Sequence, residues 1–337
     1  MYPFRFLGAI IMKAIRVHRP GSPEVLQLEE IPIPSVKESE ILIENKASGI
    51  NGKDLLFRDG SYRTTFPYTP GIEGAGIVRE KGRVVTNFEV GDRVAYCHTG
   101  TGSYAEFTAV SASRAIRLPE SIDFSTGCAC LVQGLAAHYL THSTFAIGKN
   151  DKILVHAAAG GVGLLIVQLA KLKGAKVIGT VSTLEKAQIA HSVGIDHTIL
   201  YSSEDFETET MKLTDGAGVD VVYDSVGAAT FKKSLKILKS RGLLVAFGQS
   251  SGFIPPFDVN LLANSSSDRG SFFLTRPTTA HYLKGQEFTE RLLDIFEYIS
   301  QKKLSVFIGQ KYSLNHSLEA HIALANRQTI GKSIIVF

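Results

Sequence analysis

Apolar residues along this chain repeat with two different periods, and the change from one to the other divides it. Through the first 130 or so residues they come in short runs such as ILIENKAS (41–48), GAGIVRE (74–80) and DRVAYC (92–97), each bounded by Gly, Pro, Asn or Asp. Runs of that length with that punctuation predict strands and turns. From about residue 135, short apolar runs alternate with stretches of helical period. DKILVHAA is followed by LLIVQLAKLKG (164–174), which is apolar at helical spacing and stops on Gly174. AKVIGTVS, TLEKAQIAHSVG (183–194), DHTIL, DVVYDSVG (220–227), FKKSLKILKSRG (231–242) and LLVAFG continue the alternation. That order predicts a parallel sheet with helices on both faces. From TRPTTAHY onward the pattern predicts a helix in GQEFTERLLDIFEYISQKK, another near HSLEAHIALANR and a closing strand in KSIIVF. The expected fold is α/β, a doubly wound domain inserted between two parts of a mainly β domain. The expected bounds are an N-terminal extension over 1–11, the β domain over 12–134 and 277–337, and the doubly wound domain over 135–276. No repeats or low-complexity segments interrupt this plan.

Composition narrows the class. A chain of 337 residues suits two domains better than one core. At 44% hydrophobic and 20% charged it has the make-up of an ordinary soluble enzyme. The net charge of +4 comes without a run of five or six like charges, so neither nucleic acid nor an acidic membrane is the expected partner. MYPFRFLGAII carries one arginine and no clear small-residue cleavage site, and is read as an extension or early start, not a signal peptide. No run approaches the ~18 apolar residues of a membrane helix. A cytoplasmic protein is expected. The three cysteines, Cys97, Cys128 and Cys130, are too few and too odd in number for a disulfide framework. Cys128 and Cys130 are one residue apart, too close for a usual zinc pair, and read as small apolar fillers.

The sharpest local feature is AAAGGVG (157–163), directly after the strand KILVHA and opening the next helix. Against the dinucleotide fingerprint G-x-G-x-x-G it reads Ala158-x-Gly160-x-x-Gly163, with alanine in the first glycine's place. Gly160 lets the backbone approach a pyrophosphate and Gly163 lets the helix lie close on the strand. The helix N-terminus adds free N–H groups and the positive end of its dipole. Ala159, Gly160, Gly161, Val162 and Gly163 are therefore the expected phosphate-binding turn; close packing of protein alone is the competing reading. At the end of the second strand an NAD site carries Asp or Glu, but VIGTVSTLEK places Ser182 there, with Glu185 and Lys186 a turn later. A hydroxyl leaves room for a 2′-phosphate, Lys186 supplies charge and Tyr201, after the next strand, adds a hydrogen bond. NADP(H) is the expected cofactor, against the alternative that Glu185 and Lys186 merely open a solvated helix.

Whole-chain motifs go further. GSPEVLQLEE, ENKASGINGKDLLFRDGSY, PGIEGAGIV, VGDRVAY, HAAAGGVGLLIVQLAK, GAKVIGTVST, VVYDSVG, LVAFGQSSG, LTRP and NRQTIGKSIIV occur in order from Met12 to Phe337. With them the chain resembles the quinone oxidoreductase (zeta-crystallin-like) branch of the zinc-independent medium-chain dehydrogenase/reductase family. The resemblance implies a GroES-like catalytic domain, a Rossmann domain and a homodimer formed through the latter. It also implies NADPH-dependent hydride transfer to quinones, other activated alkenes or α,β-unsaturated carbonyls. In the zinc alcohol dehydrogenases that share this fold, the positions of Asn51 and Ile72 hold a cysteine and a histidine, and the region of Gln133 supplies the third ligand. Isoleucine and an amide do not make a zinc site. Cys97 stands alone where a four-cysteine lobe would be. His138 and His142 sit one helical turn apart without a third ligand, and are read as surface or packing residues. Gly-x-Ser-x-Gly is absent, and QSSG (249–252) reads as a loop after a strand.

By the same resemblance Asn51, Asp54 and Tyr62 line the cleft near the nicotinamide. Asn51 is expected to donate to the cofactor amide or substrate carbonyl, Tyr62 to a developing oxyanion, and Asp54 to hold the loop or a cofactor hydroxyl. Turn forming for Asn51 and packing for Tyr62 are the competing readings. Leu56 stands where the family often has tyrosine, which makes the pocket more apolar. Ser225, Val226, Phe247, Gln249, Ser250 and Arg327 are carried over as further cofactor contacts, Arg327 as a bidentate phosphate donor or the partner of a surface carboxylate. Two other functions stay open: an enoyl-thioester reductase of the same fold, and a non-catalytic, cofactor-bound structural or RNA-binding protein.

Overall fold

The computed structural model describes residues 11–97 and 100–337, so the expected N-terminal extension falls outside the described residues up to residue 10. Ile11 already pairs with Pro32 in the first strand. The chain forms two units, one running to Val132 and taking up again over Ile308–Phe337, the other Gln133–Phe307.

The first unit begins with a hairpin of β1 (Ile11–Arg16) and β2 (Gln27–Pro32). Then come β3 (Glu40–Ile50), α1 (Gly52–Arg58), β4 (Glu73–Lys81), β5 (Arg93–Cys97), β6 (Phe107–Ser111), β7 (Ala115–Arg117) and α2 (Phe124–Ala129). The two short helices are absent from the reading of this region as strands and turns, because six or seven residues are too few for a helical period to register. Asp123 caps α2 by accepting from Thr126 N.

The chain continues through α3 (Leu131–Tyr139) into β8 (Lys152–Val155), α4 (Gly161–Leu172), β9 (Lys176–Val181), α5 (Leu184–Ser192) and β10 (His197–Leu200). Next are α6 (Phe206–Leu213), β11 (Val219–Asp224), α7 (Phe231–Lys236), β12 (Leu238–Ala246), α8 (Asn260–Ala263), β13 (Phe273–Thr275), α9 (Thr279–Tyr282) and α10 (Glu287–Ser300). The parallel sheet has the order β10-β9-β8-β11-β12-β13, which reverses between β8 and β11, the topological switch point of a doubly wound fold. Leu154, Ile178, Ile199, Val222 and Leu244, one from each of five strands, pack with Phe206, Phe231 and Leu235 of α6 and α7. The helix expected over 231–242 ends at Lys236. Ile237 and Leu238 are fully buried and Leu238 pairs with Val219, so sheet pairing overrides the helical spacing.

The expected boundary at 276/277 is corrected. α10 buries Phe288, Leu292, Ile295 and Phe296, and a side chain at Gly134 would press to 3.2 Å on Ile295. Gln168 of α4 binds Ser305 N and O at 2.8 and 3.0 Å. Residues 277–307 therefore belong to the second unit. The chain then returns to the first with β14 (Ile308–Ser313), α11 (Ser317–Ala325) and β15 (Lys332–Val336). β15 pairs with β3 and β14, giving the order β14-β15-β3-β4-β5-β7 with β6 on β3.

Candidate active site

Two buried polar clusters organise the first unit, and Asn51 and Asp54 lie at their junction. Asn51 is the N-cap of α1, and its backbone N–H is held at 2.8 Å by the Asp54 carboxyl three residues on. Its side chain is turned to the interior: Nδ2 donates to Glu73 Oε1 at 2.7 Å and Oδ1 accepts from Lys332 Nζ at 2.8 Å. The expected donor role of Asn51 toward a ligand competes with these bonds, since both ends of its amide are engaged within the unit. Lys332 completes its three donors on Ile50 O and Glu73 Oε1, and the second Glu73 oxygen takes Val132 N at 2.8 Å. Neither Glu73 nor Lys332 is exposed at all.

The second cluster is a one-way chain. Arg58 can only donate, so His321 Nδ1, 3.2 Å away, accepts, and the protonated Nε2 faces the Tyr104 hydroxyl at 3.2 Å. Tyr104 in turn donates to Asp54 Oδ2 at 3.3 Å. Burial, then the Arg58 charge, lowers the His321 pKa to about 3 and keeps the ring neutral. Asp54 is buried, makes no ion pair among the described residues, and its Oδ1 has no hydrogen-bond partner. Burial, countered by the Asn51 N–H and the Lys332 charge, raises its pKa to about 7. Tyr62 differs from both. It is half-buried, its ring meets Phe57 edge-on at 5.6 Å, and its hydroxyl has no partner among the described residues.

In the second unit the glycine turn sits at the switch point. Helix α4 starts at Gly161 with Gly160 as N-cap, three residues before the expected helical stretch at 164–174, and no side chain caps it. The glycines have different reasons. A Cβ on Gly163 would lie 2.5 Å from Ala157 O and 2.9 Å from Ala158 Cα, so that glycine serves helix–strand packing. A Cβ on Gly161 would collide with the Gln133 carboxamide. Gly160 would meet only Ala157 O, at 3.2 Å, so protein packing explains it least. Ala158 is accommodated because its neighbour in β9 is Gly179, whose missing side chain would otherwise press on it at 2.5 Å. Ala157 holds φ +52°, which bends the chain into the turn. Open backbone at Gly160, with uncapped helix amides beside it, fits a pyrophosphate; Ala159 and Val162 complete the turn.

Register explains how Ser182, Lys186 and Tyr201 come together. Leu200 pairs with Val181, so the following residues, Tyr201 and Ser182, emerge side by side, and Tyr201 N donates to Val181 O at 3.1 Å. Thr183 caps α5 by accepting from Lys186 N, which sets that lysine in the first turn next to them. Beyond β11 and β12, Ser225 O accepts Ser250 N at 3.2 Å, Val226 N binds Asp224 Oδ1 at 2.7 Å, and Phe247 N binds Asp224 O at 2.9 Å. These loops and Gln249 are joined at the same sheet edge, Gln249 through its bond from Arg276. Arg327 belongs to the first unit, on the left-handed turn after α11, and so is not among the residues the second unit assembles.

Other candidates take structural roles. His138 and His142 stack at 4.0 Å, with His138 between Arg291 and Asp294. All three cysteines are buried, which raises their pKa values and keeps the thiols protonated. Among the described residues no group of three His, Cys, Asp or Glu side chains is placed to hold a metal ion, and no helix is long and apolar enough to cross a membrane. Glu73, Lys332, Tyr104 and His321 escaped the sequence reading. For Glu73 and Lys332 the signal was a charge within GIEGAGIV and another at the head of KSIIVF, where apolar residues are the rule; Tyr104 and His321 carried none.

Comparison with known proteins agrees with this architecture. Residues 37–120 match the alcohol dehydrogenase GroES-like domain model and residues 161–286 the zinc-binding dehydrogenase model. Quinone oxidoreductase 1 of Escherichia coli K12 is 40% identical over 96% of this chain and 98% of its own. The 2-haloacrylate reductase of a Burkholderia species is 36% identical over 97% and 99%. A crystal structure of E. coli quinone oxidoreductase complexed with NADPH superposes with a TM-score of 0.93 at 40% identity, covering 96% of this chain and 100% of that one. By sequence over nearly its full length and by fold, the chain belongs to the quinone oxidoreductase branch of the medium-chain dehydrogenase/reductase family.

Proposed function

We propose that this chain is an NADPH-dependent reductase that passes a hydride to a quinone or another activated alkene, α,β-unsaturated carbonyls included. The observation that carries the reading is the turn after β8, where Gly160 leaves backbone open at an uncapped helix start. Bound there, NADPH supplies the hydride. Ser182, Lys186 and Tyr201 receive the adenosine 2′-phosphate, with no carboxylate at the end of β9 to repel it. In the first unit Tyr62 offers the uncommitted hydroxyl that steadies charge developing on an acceptor oxygen. Asp54 holds the Asn51 loop through the α1 cap, and Leu56 keeps the acceptor's surroundings apolar. Lys332 already satisfies Asn51 and Glu73, which supports chemistry without zinc at that position.

Loss of NADPH absorbance with quinones, 2-alkenals and enoyl thioesters, run in parallel with NADH, tests the reading. Turnover with a quinone or alkenal and preference for NADPH are expected; no turnover with any acceptor would overturn it. Turnover confined to enoyl thioesters selects the thioester reductase, and RNA retention that falls with salt, without turnover, selects the binding protein.

For quaternary structure we infer a homodimer through the second unit. Its sheet ends on the three-residue strand β13, where Phe273 is 59% exposed, and Phe253, in the loop after β12, is 71% exposed. Sedimentation equilibrium should give a dimer that Phe273→Asp dissociates; a monomer at every concentration refutes the inference.

A further inference from the structure

The loops after β8 and after β11 flank the switch point, and one buried chain of polar side chains runs beneath both. It centres on His156, which is 1% exposed and lies edge-on to Phe206 at 4.8 Å. Nδ1 is 3.0 Å from Thr180 Oγ1 in β9, and Nε2 is 2.9 Å from Ser234 Oγ in α7. On one side Thr180 reaches the glycine turn: its Oγ1 is 3.4 Å from Ala157 N, and its carbonyl takes Ala158 N at 3.1 Å. On the other side Ser234 Oγ makes a long 3.5 Å contact with Asp224 Oδ2, which also takes the Thr230 hydroxyl at 2.6 Å. Asp224 Oδ1 holds Val226 N and Gly227 N at 2.7 and 3.0 Å.

The donors and acceptors allow one consistent direction. The Asp224 carboxylate only accepts, so Ser234 donates to it and accepts from the His156 Nε2–H. Nδ1 is then bare and accepts from Thr180, whose oxygen accepts the Ala157 N–H. The chain runs unbroken from the first amide of the glycine turn to the carboxylate that shapes the Ser225–Gly227 turn. A neutral ring is required throughout, and burial supplies it by lowering the His156 pKa to about 4 against the opposing pull of Asp224.

We propose that His156 is a positioning residue that ties the glycine turn to the Ser225–Gly227 turn, so that the two loops flanking the switch point are ordered together and receive the dinucleotide as one surface. The last clause rests on reading that turn as the NADPH site; the tie itself does not. Three variants test it: Thr180→Val and Ser234→Ala cut the chain on either side of the ring, and His156→Leu removes its centre. Amide hydrogen exchange on the protein without cofactor is expected to speed up at both loops, 157–161 and 226–227, in every variant. The NADPH dissociation constant, read by fluorescence titration without acceptor, should rise about tenfold while kcat at saturating NADPH changes little. His156→Gln keeps a donor toward Ser234 and should restore part of the protection at 226–227. Faster exchange only in the loop next to the substituted residue overturns the proposal, as does an unchanged NADPH affinity in the folded variants. If His156→Leu does not fold, the threonine and serine variants decide. If the wild-type protein does not bind NADPH, the cofactor reading fails while the exchange data still settle the tie.

Discussion

Lys332 Nζ lies 2.6 Å from Glu73 Oε1, and neither side chain has any exposed surface. A buried pair of this kind adds little over a matched apolar pair, but removing one member strands the other in a medium that cannot solvate it. Lys332→Met should therefore cost about 3–5 kcal/mol. Glu73→Gln placed on top should return most of that loss, because no uncompensated charge remains. Urea unfolding followed by circular dichroism measures both; a double variant no more stable than the single one contradicts the account.

Asp54 gives the first unit a pH dependence of unusual sign. Its pKa rises from 3.8 to about 7 on folding, so between those values the folded chain binds more protons than the unfolded one. Stability then falls as pH climbs from about 4 through about 7, by up to about 4 kcal/mol at the top of that window. Asp54→Asn should flatten the decline, with melting temperatures that match the wild type near pH 4 and exceed it near pH 8. Parallel curves for the two proteins would show that Asp54 is ionised in the fold.

The glycines of the turn separate folding from binding. Gly160 has φ −77°, ordinary for any residue, and an alanine there meets one atom at 3.2 Å. Gly160→Ala should fold and melt within a few degrees of the wild type yet bind NADPH at least about tenfold more weakly. Gly163→Ala drives a methyl into Ala157 and Ala158 and should lose stability first. Equal effects of the two on melting temperature would remove the distinction.

The proposed 2′-phosphate site makes cofactor choice depend on Ser182, Lys186 and Tyr201. Lys186→Glu should reverse the charge offered to the 2′-phosphate and cut the NADPH-to-NADH ratio of kcat/KM at least about tenfold. Ser182→Asp should act in the same direction by restoring a partner for ribose hydroxyls. An unchanged ratio in both variants refutes the assignment.

Tyr62→Phe removes a hydroxyl that has no partner among the described residues. Stability should hold, NADPH affinity should hold, and kcat with a quinone should fall by roughly 10- to 100-fold. A wild-type kcat reduces Tyr62 to a packing partner of Phe57.

Much of the fold was legible because the elements that build it obey their own periods. Val155, Val181 and Leu200 end strands whose neighbours along the chain are helices, and that alternation is visible without a structure. The glycine turn was legible for the same reason, since a strand must stop and a helix must start around it. The stretch from Leu238 to Gly242 was not: spacing there favours helix, and only pairing with β11, beginning at Val219, makes it strand. The interior of the first unit was hidden more thoroughly. Glu73 and Lys332 are 259 positions apart, and no local pattern marks a carboxylate and an ammonium that neutralise each other. Asn51 stands out in the sequence, but its neighbours decide what its amide does, and they come from β4 and β15.

The return of β15 into the first unit's sheet also orders the protein's biosynthesis. A ribosome delivers β3 and β4 long before residue 332, so until β15 emerges the Glu73 carboxylate lacks the Lys332 ammonium and the edge of β3 that β15 will cover has no strand. The second unit, Gln133–Phe307, is contiguous and can complete its core while still tethered. A chain that stops before Lys332 would present an unfinished sheet with an unneutralised acid inside it. Placing the neutralising lysine on β15 makes closure of the first unit's sheet and neutralisation of its buried acid a single event.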